Sequence, residues 1–321
     1  MKSKNLYKKI LRLIKSKGFK NIELNPVLET KYILQRSGEN FRKYLFSFYN
    51  SDGRDLSLTP DLSISSILRY AQNNKNSKEK VFYTGSAFRK SYNKNKVVIR
   101  QLGLEIFSSQ NENRDDREII DTSIKILKNS GIKSAKIKIG NFKLFQLMIQ
   151  KLSIPDRYKK RLIKFYWNRG YFSELLKRLE SNLDIDPFVV ASDQKTYLKM
   201  KKENPNKIIA GRSYREILDR YEKKINDPRI TKTGKQSCKI IKEFLKIKCP
   251  INKAAKELNK FFKKYQINLV VDQKYFPISN NKVSKLNVIF STSFGRQLEY
   301  YTGMVFKIDI KSNNKIKNII N

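Results

Sequence analysis

The sequence contains no histidine. That one absence removes His-based acid–base catalysis, a Ser-His-Asp triad and His-ligated metal together. Cysteine is nearly as scarce, with Cys238 and Cys249 the only two. Two cysteines without histidine support neither a disulfide framework nor a zinc or iron site. No apolar run reaches the ~18 residues that a membrane-spanning helix needs. The N-terminal segment is basic, but lysines interrupt its apolar residues, so it reads as neither a signal peptide nor an anchor. Cytoplasm is therefore the expected compartment. There is no internal repeat. At 321 residues the chain can bury a sizeable core, as one elaborated domain or two.

Acidic residues are the other scarce class: 29 Asp and Glu stand against 69 Lys and Arg, a formal charge of +40. Such a charge ordinarily points to nucleic acid. Here the lysines are scattered among Asn and Ile through every segment instead of forming a block, a pattern that AT-rich coding also produces. An RNA-binding face would call for a basic stripe interleaved with aromatics, and none is visible. A polyanionic partner would still feel the field.

What is present is organised around residues 81–107, VFYTGSAFRKSYNKNKVVIRQLGLEIF. The stretch reads as a strand ending on Arg89, a polar basic loop, and a second strand carrying Gln101 and Glu105. Side chains at even separation on a strand share a face. Gln101, Gly103 and Glu105 thus line one side, the glycine leaving room between an amide and a carboxylate. That face suits a ligand offering hydrogen-bond donors. Taken alone, it is better read as a surface hairpin with a solvated polar side.

Elsewhere Leu6, Ile10, Leu13 and Ile14 have helical spacing that stops at Gly18. A strand is expected over 22–28, at a sheet edge because it contains Pro26. Short strands at 45–49 and 56–59 flank the turn SDGR, and a helix runs from Pro60 to about residue 72. Asp115-Asp116 open a helix that stops near Gly131, followed by a strand at 135–139. Residues 142–179 read as helical, with Phe165, Tyr166 and Trp167 as core. Gly211-Arg212-Ser213 looks like a capped helix start, and helices continue to about 264. Strands are expected at 267–276 and 287–293, with a solvated tail from Lys311. Strands at both ends around a helical block predict an α+β fold, an antiparallel sheet flanked by helices.

Three segments, in this order, resemble the ligand site of the histidyl-tRNA synthetase family. LSLTPDLS at 56–63 is similar to its R-P-E/D-x-T segment. Residues 81–107 are similar to class II motif 2, with Phe88-Arg89 and a Q-x-G-x-E at 101–105. FGRQLEYYTGMVF at 294–306 is similar to the histidine-specific R-G-L-D-Y-Y-T-G signature. The resemblance implies a class II aminoacyl-tRNA synthetase-like core over 1–154 and 265–321, with a mainly helical insertion at about 155–264; departing from the synthetases, no anticodon-binding domain is expected. It also implies a histidine pocket. Glu105 and Tyr301 would hold the imidazole, with Gln101, Asp61 and Ser63 near the amino group. Arg296 would face the carboxylate, and Arg89 stands where synthetases grip a phosphate or carboxylate oxygen. Tyr300 belongs to the same signature, with core as its alternative place because adjacent strand residues face opposite ways. A surface salt bridge is the alternative for Arg296.

Departures from the pattern narrow the family. Lys90-Ser91 stands where F-R-x-E supplies a glutamate to hold adenine, Thr59 and Asp61 replace the arginine and glutamate of R-P-E, Gln297 replaces a glycine, and Lys307 replaces an acid. No glycine-rich motif 3 is found up to Asn321. A histidine pocket without the ATP apparatus resembles the regulatory subunits of ATP phosphoribosyltransferase, synthetase paralogues that pair with the short-form catalytic subunit at the first step of L-histidine biosynthesis. SGENFRKYLFSFYNSDGR, LSLTPDLSISSILRY, IPDRYKKRLIKFYWNRGYFSELLKRL and GRSYREILDR all look like that subunit in alphaproteobacteria. This resemblance implies no catalytic residue, no cofactor and no metal. It implies a hetero-oligomer with the short-form catalytic subunit, L-histidine as feedback effector, and a homodimer through the motif 1-like segment 22–28. Neither tRNA nor membrane is expected as a partner. A diverged histidyl-tRNA synthetase, an enzyme, is the alternative.

Overall fold

The computed structural model describes residues 2–73, 77–90, 97–132, 134–181, 187–203, 208–209, 212–226, 231–276, 286–295, 302–312 and 315–320. The chain divides into two compact units, Met1–Ile137 with Gln273–Asn287 and Lys307–Asn321, and Lys138–Asp272 with Val288–Phe306.

In the first unit, α1 (Lys2–Ser16) places Ile10, Leu11 and Ile14 on one stripe. The chain then forms β1 (Lys20–Asn21). The expected strand over 22–28 is split: β1 lies before it, and β2 (Val27–Glu29) overlaps only its end. Pro26 has no N–H to give a ladder, and it sits outside β2 with its carbonyl accepting from Thr59 N. After α2 (Thr30–Ser37), the hairpin of β3 (Ser47–Tyr49) and β4 (Asp55–Leu58) completes a small antiparallel sheet in the order β2-β4-β3. The buried Thr30 hydroxyl meets Asp55 Oδ1 and Ser57 Oγ, each at 2.7 Å, which satisfies the polar groups under this sheet.

The next helix, α3 (Leu62–Gln72), begins two residues later than Pro60 because Asp61 is its cap. Then β5 (Glu79–Phe88) and β6 (Val98–Phe107) pair over ten positions, Glu79↔Phe107 through Phe88↔Val98, with β1 parallel on the other edge of β5. One face of this hairpin carries Phe82, Leu104 and Ile106 against α1 and α4 (Glu112–Asn129), joining Ile14, Phe19, Ile119 and Ile126. The other carries Val81 and Tyr83 against Ile22 and Leu62. Helix α4 starts three residues before Asp115 because the Asn111 side chain accepts from Arg114 N.

The second unit opens with β7 (Lys136–Asn141), then α5 (Phe142–Lys151), α6 (Asp156–Lys164) and α7 (Arg169–Glu180). The helical pattern over 142–179 is thus three helices, restarted at Pro155 and at Asn168, whose side chain accepts from Tyr171 N. Tyr166 is core, its ring 4.2 Å from that of Phe145, whereas Phe165 and Trp167 are half-buried. Helix α8 (Pro187–Lys201) and the two-residue strands β8 (Ile208–Ile209) and β9 (Arg212–Ser213) lead into α9 (Tyr214–Asn226). Ser213 and Glu216 cap α9 reciprocally, at 3.2 and 3.3 Å. Then follow α10 (Thr231–Phe244), β10 (Lys248–Pro250) and α11 (Ala254–Lys264). The strand expected at 267–276 is absent. The Asn259 side-chain amide takes both the N–H and the carbonyl of Val271, at 2.8 Å each, so that backbone has no ladder to join.

Strands β11 (Asn287–Ser291) and β12 (Met304–Ser312) complete the order β10-β11-β7-β12. The tail from Lys311 that was expected to be solvated forms a strand: in the first unit, β13 (Lys315–Ile320) pairs antiparallel with β12, Ser312↔Lys315 through Ile308↔Ile320. Among the described residues no helix is long and apolar enough to cross a membrane. The fold is α+β.

Candidate functional site

Five of the eight predicted site residues, Asp61, Ser63, Arg89, Gln101 and Glu105, converge in the first unit where α3 begins over the β5–β6 hairpin. Arg296, Tyr300 and Tyr301 lie outside the described residues. Convergence follows from register and capping. The pairs Val81↔Glu105, Tyr83↔Gly103 and Gly85↔Gln101 put Tyr83, Gln101 and Glu105 on the face toward α3. Asp61 caps α3 by accepting from Ser63 N at 3.1 Å. The next free helix N–H, that of Leu62, donates to Gln101 Oε1 at 3.2 Å and so fixes which end of that amide faces the helix. Arg89, one residue past β5, donates through Nε to the Pro60 carbonyl at 2.7 Å, and its Nη2 lies 3.4 Å from Asp61 Oδ2.

The sequence reading missed Tyr83. Its hydroxyl donates to Glu105 Oε1 at 2.8 Å and lies 3.0 Å from Ser63 Oγ. The room left by Gly103 is not empty: a Cβ there would sit 2.2 Å from Tyr83 Cζ, so the glycine exists to admit the tyrosine ring. A glycine opposite an aromatic across a hairpin was the available signal, but it requires the register. Burial pushes the Glu105 carboxyl upward, with the bonds from Tyr83 and Ser63 opposing it. Burial and then the Glu105 charge raise the Tyr83 phenol far above its usual range, so it remains a donor.

Chemically this is an acceptor-rich recess, with two carboxylates and a serine hydroxyl beside one guanidinium. It can hold a ligand bearing N–H groups. Among the described residues no group of three or more cysteine or acidic side chains could hold a metal ion.

In the second unit, the two ends of the 294–303 segment rest on the β7–α5 junction. The Phe294 carbonyl occupies the space a Cβ on Gly140 would need, 2.4 Å away, and Phe142 N donates to Gly303 O at 2.9 Å.

Comparison with known proteins places the chain in a class. The family profile for histidyl-tRNA synthetase matches residues 1–315, and the chain belongs to that family. Curated relatives within it carry a more particular name. The chain is 24% identical over 304 residues to the ATP phosphoribosyltransferase regulatory subunit of Brucella anthropi, covering 89% of this chain and 80% of that one. It is 24% identical over 301 residues to the subunit of the same name from Agrobacterium fabrum, covering 88% and 80%. Among solved structures, histidyl-tRNA synthetase from Nostoc sp. PCC 7120 superposes with a TM-score of 0.54 at 17% identity, over 95% of this chain and 60% of that one. An ATP phosphoribosyltransferase regulatory subunit/histidyl-tRNA synthetase from Bacillus halodurans gives 0.50 at 18%, over 95% and 67%. The fold is that of the class II synthetases.

Proposed function

We propose that this chain is a non-catalytic regulatory subunit of ATP phosphoribosyltransferase, which activates the short-form catalytic subunit and carries feedback inhibition by L-histidine. The observation that carries the reading is the acceptor-rich recess of Asp61, Ser63 and Glu105 on the motif 2-like hairpin, in a sequence that has Lys90-Ser91 where a synthetase holds adenine. The names of the alphaproteobacterial relatives support it. On this reading Glu105 receives an imidazole N–H, and Asp61 and Ser63 receive the ammonium. Arg296, Tyr300 and Tyr301 complete the pocket, 155–264 is the helical insertion, and the segment at 22–28 joins two copies in the cytoplasm. Feedback requires histidine to bind one state of the hetero-oligomer more tightly than another, and a coupling of ~1–3 kcal/mol suffices.

The test is phosphoribosyl-ATP synthesis by the short-form catalytic subunit of the same organism. Activity is expected only when this chain is added, and is expected to fall with histidine. Glu105→Ala is expected to abolish inhibition and retain activation; persistent inhibition refutes the assigned pocket. The family profile favours a second reading, a diverged histidyl-tRNA synthetase. Histidylation of tRNA by the chain, without any effect on phosphoribosyl-ATP synthesis, would establish that one instead.

A further inference from the structure

We propose that Tyr83 is a positioning residue that sets the hydrogen-bond polarity of the recess: it occupies one oxygen of Glu105 and obliges Ser63 to donate inward. A phenol has one proton to donate. Glu105, when ionised, can only accept, so the 2.8 Å contact spends the Tyr83 proton on Oε1. The 3.0 Å contact between Tyr83 and Ser63 must then run the other way, with Ser63 donating. Ser63 also donates toward Glu105, so the relay runs from Ser63 into the Tyr83–Glu105 pair. What it leaves outward is acceptors alone, the lone pairs of Ser63 Oγ and those of the Glu105 carboxylate that Tyr83 and Ser63 do not occupy. A ligand that brings N–H groups is matched there, and one that brings acceptors meets unpaired lone pairs, which costs affinity steeply in a partly buried site.

The arrangement is held rigidly. The Tyr83 ring is 3% exposed and wedged over Gly103, where any Cβ would collide with it. The Ser63 backbone is held by the Asp61 cap. The other charged group acting on Glu105 is Asp61 at the start of α3, which lies 3.4 Å from Arg89 past the end of β5. Burial works against the Glu105 charge, and the Tyr83 proton opposes that burial.

Tyr83→Phe deletes the proton and keeps the ring. The Glu105 carboxyl signal, followed by NMR through a pH titration of the ligand-free full chain, is expected to move its midpoint upward by about one unit, a tenfold change in its ionisation constant. An unchanged midpoint overturns the inference whatever the ligand. The identity of the ligand rests on the reading above, and calorimetry with L-histidine separates the two. Wild-type chain that gives no heat between pH 5 and pH 9 defeats the histidine reading while the titration still decides the role of Tyr83. If wild type binds, Tyr83→Phe is expected to bind about tenfold more weakly, with the rise of affinity displaced to higher pH; equal affinity and an equal profile overturn the positioning role. Should Tyr83→Phe fail to fold, Ser63→Ala breaks the relay at its other end. It is expected to weaken histidine binding by about threefold and shift the Glu105 midpoint by less than Tyr83→Phe would; no change in either rejects the relay.

Discussion

Two adjacent carboxylates at the start of α4 show how position within a single turn decides the charge of a residue. Asp115 is 4% exposed, and burial alone would push its carboxyl up, yet Lys78 Nζ holds both its oxygens at 2.6 and 2.7 Å and it ends below its ordinary range. Asp116 has the opposite fate: burial comes first, then the like charges of Glu112 and Asp115, and it is raised from its ordinary 3.8 to about 6. A carboxyl raised in the folded state contributes stability that is complete below its ordinary value and lost as pH rises through about 6. Asp116→Asn removes that loss. The variant is expected to match wild type near pH 4 and to be more stable at pH 7 by about 1 kcal/mol, the full shift being discounted because the group is only half-buried. Urea unfolding at the two pH values checks this; a variant equally stable or weaker at pH 7 contradicts it.

At the scale of elements, helix contacts are set by what the backbone can approach. Gly234 of α10 lies where a Cβ would meet the Leu179 carbonyl of α7 at 2.3 Å, and one turn further on Cys238 Sγ contacts the Leu176 carbonyl at 3.3 Å. Alanine is the better helix former by about 1 kcal/mol, but overpacking against backbone that cannot yield costs about 1–3 kcal/mol. The steric effect wins: Gly234→Ala is expected to lose about 1–2 kcal/mol in denaturant unfolding. A gain in stability would mean that α7 and α10 separate freely. The capping box of Ser213 and Glu216 belongs to this scale as well, and it was visible in the sequence because cap chemistry spans only four residues.

For the molecule as a whole, the charge of +40 is the property most open to misreading. Lysines spread through every segment give a diffuse field, which attracts polyanions at low ionic strength but is screened beyond about 8 Å at physiological salt. Retention of tRNA on filters is therefore expected in dilute buffer and to vanish at physiological salt. Retention that survives would favour the synthetase reading over the regulatory one.

The sequence by itself determined whatever depends on near neighbours. Alternation over 97–107 put Gln101, Gly103 and Glu105 on one face, whereas Asp61 and Ser63 were singled out only by the resemblance of LSLTPDLS to a family segment. The class of fold and the long amphipathic helices followed from the same kind of pattern. Only the tertiary structure decided which groups meet across long separations. Tyr83 finds Glu105 through a register that no local pattern specifies, and its ring fills space that the sequence had left to the ligand. Asn259 withdraws Val271 from any sheet, and β13 gains order from β12 although its Lys/Asn-rich composition argues against a strand. Propensity acts over a few residues, whereas a hydrogen-bond partner or a ring packed on a glycine is chosen by the whole chain.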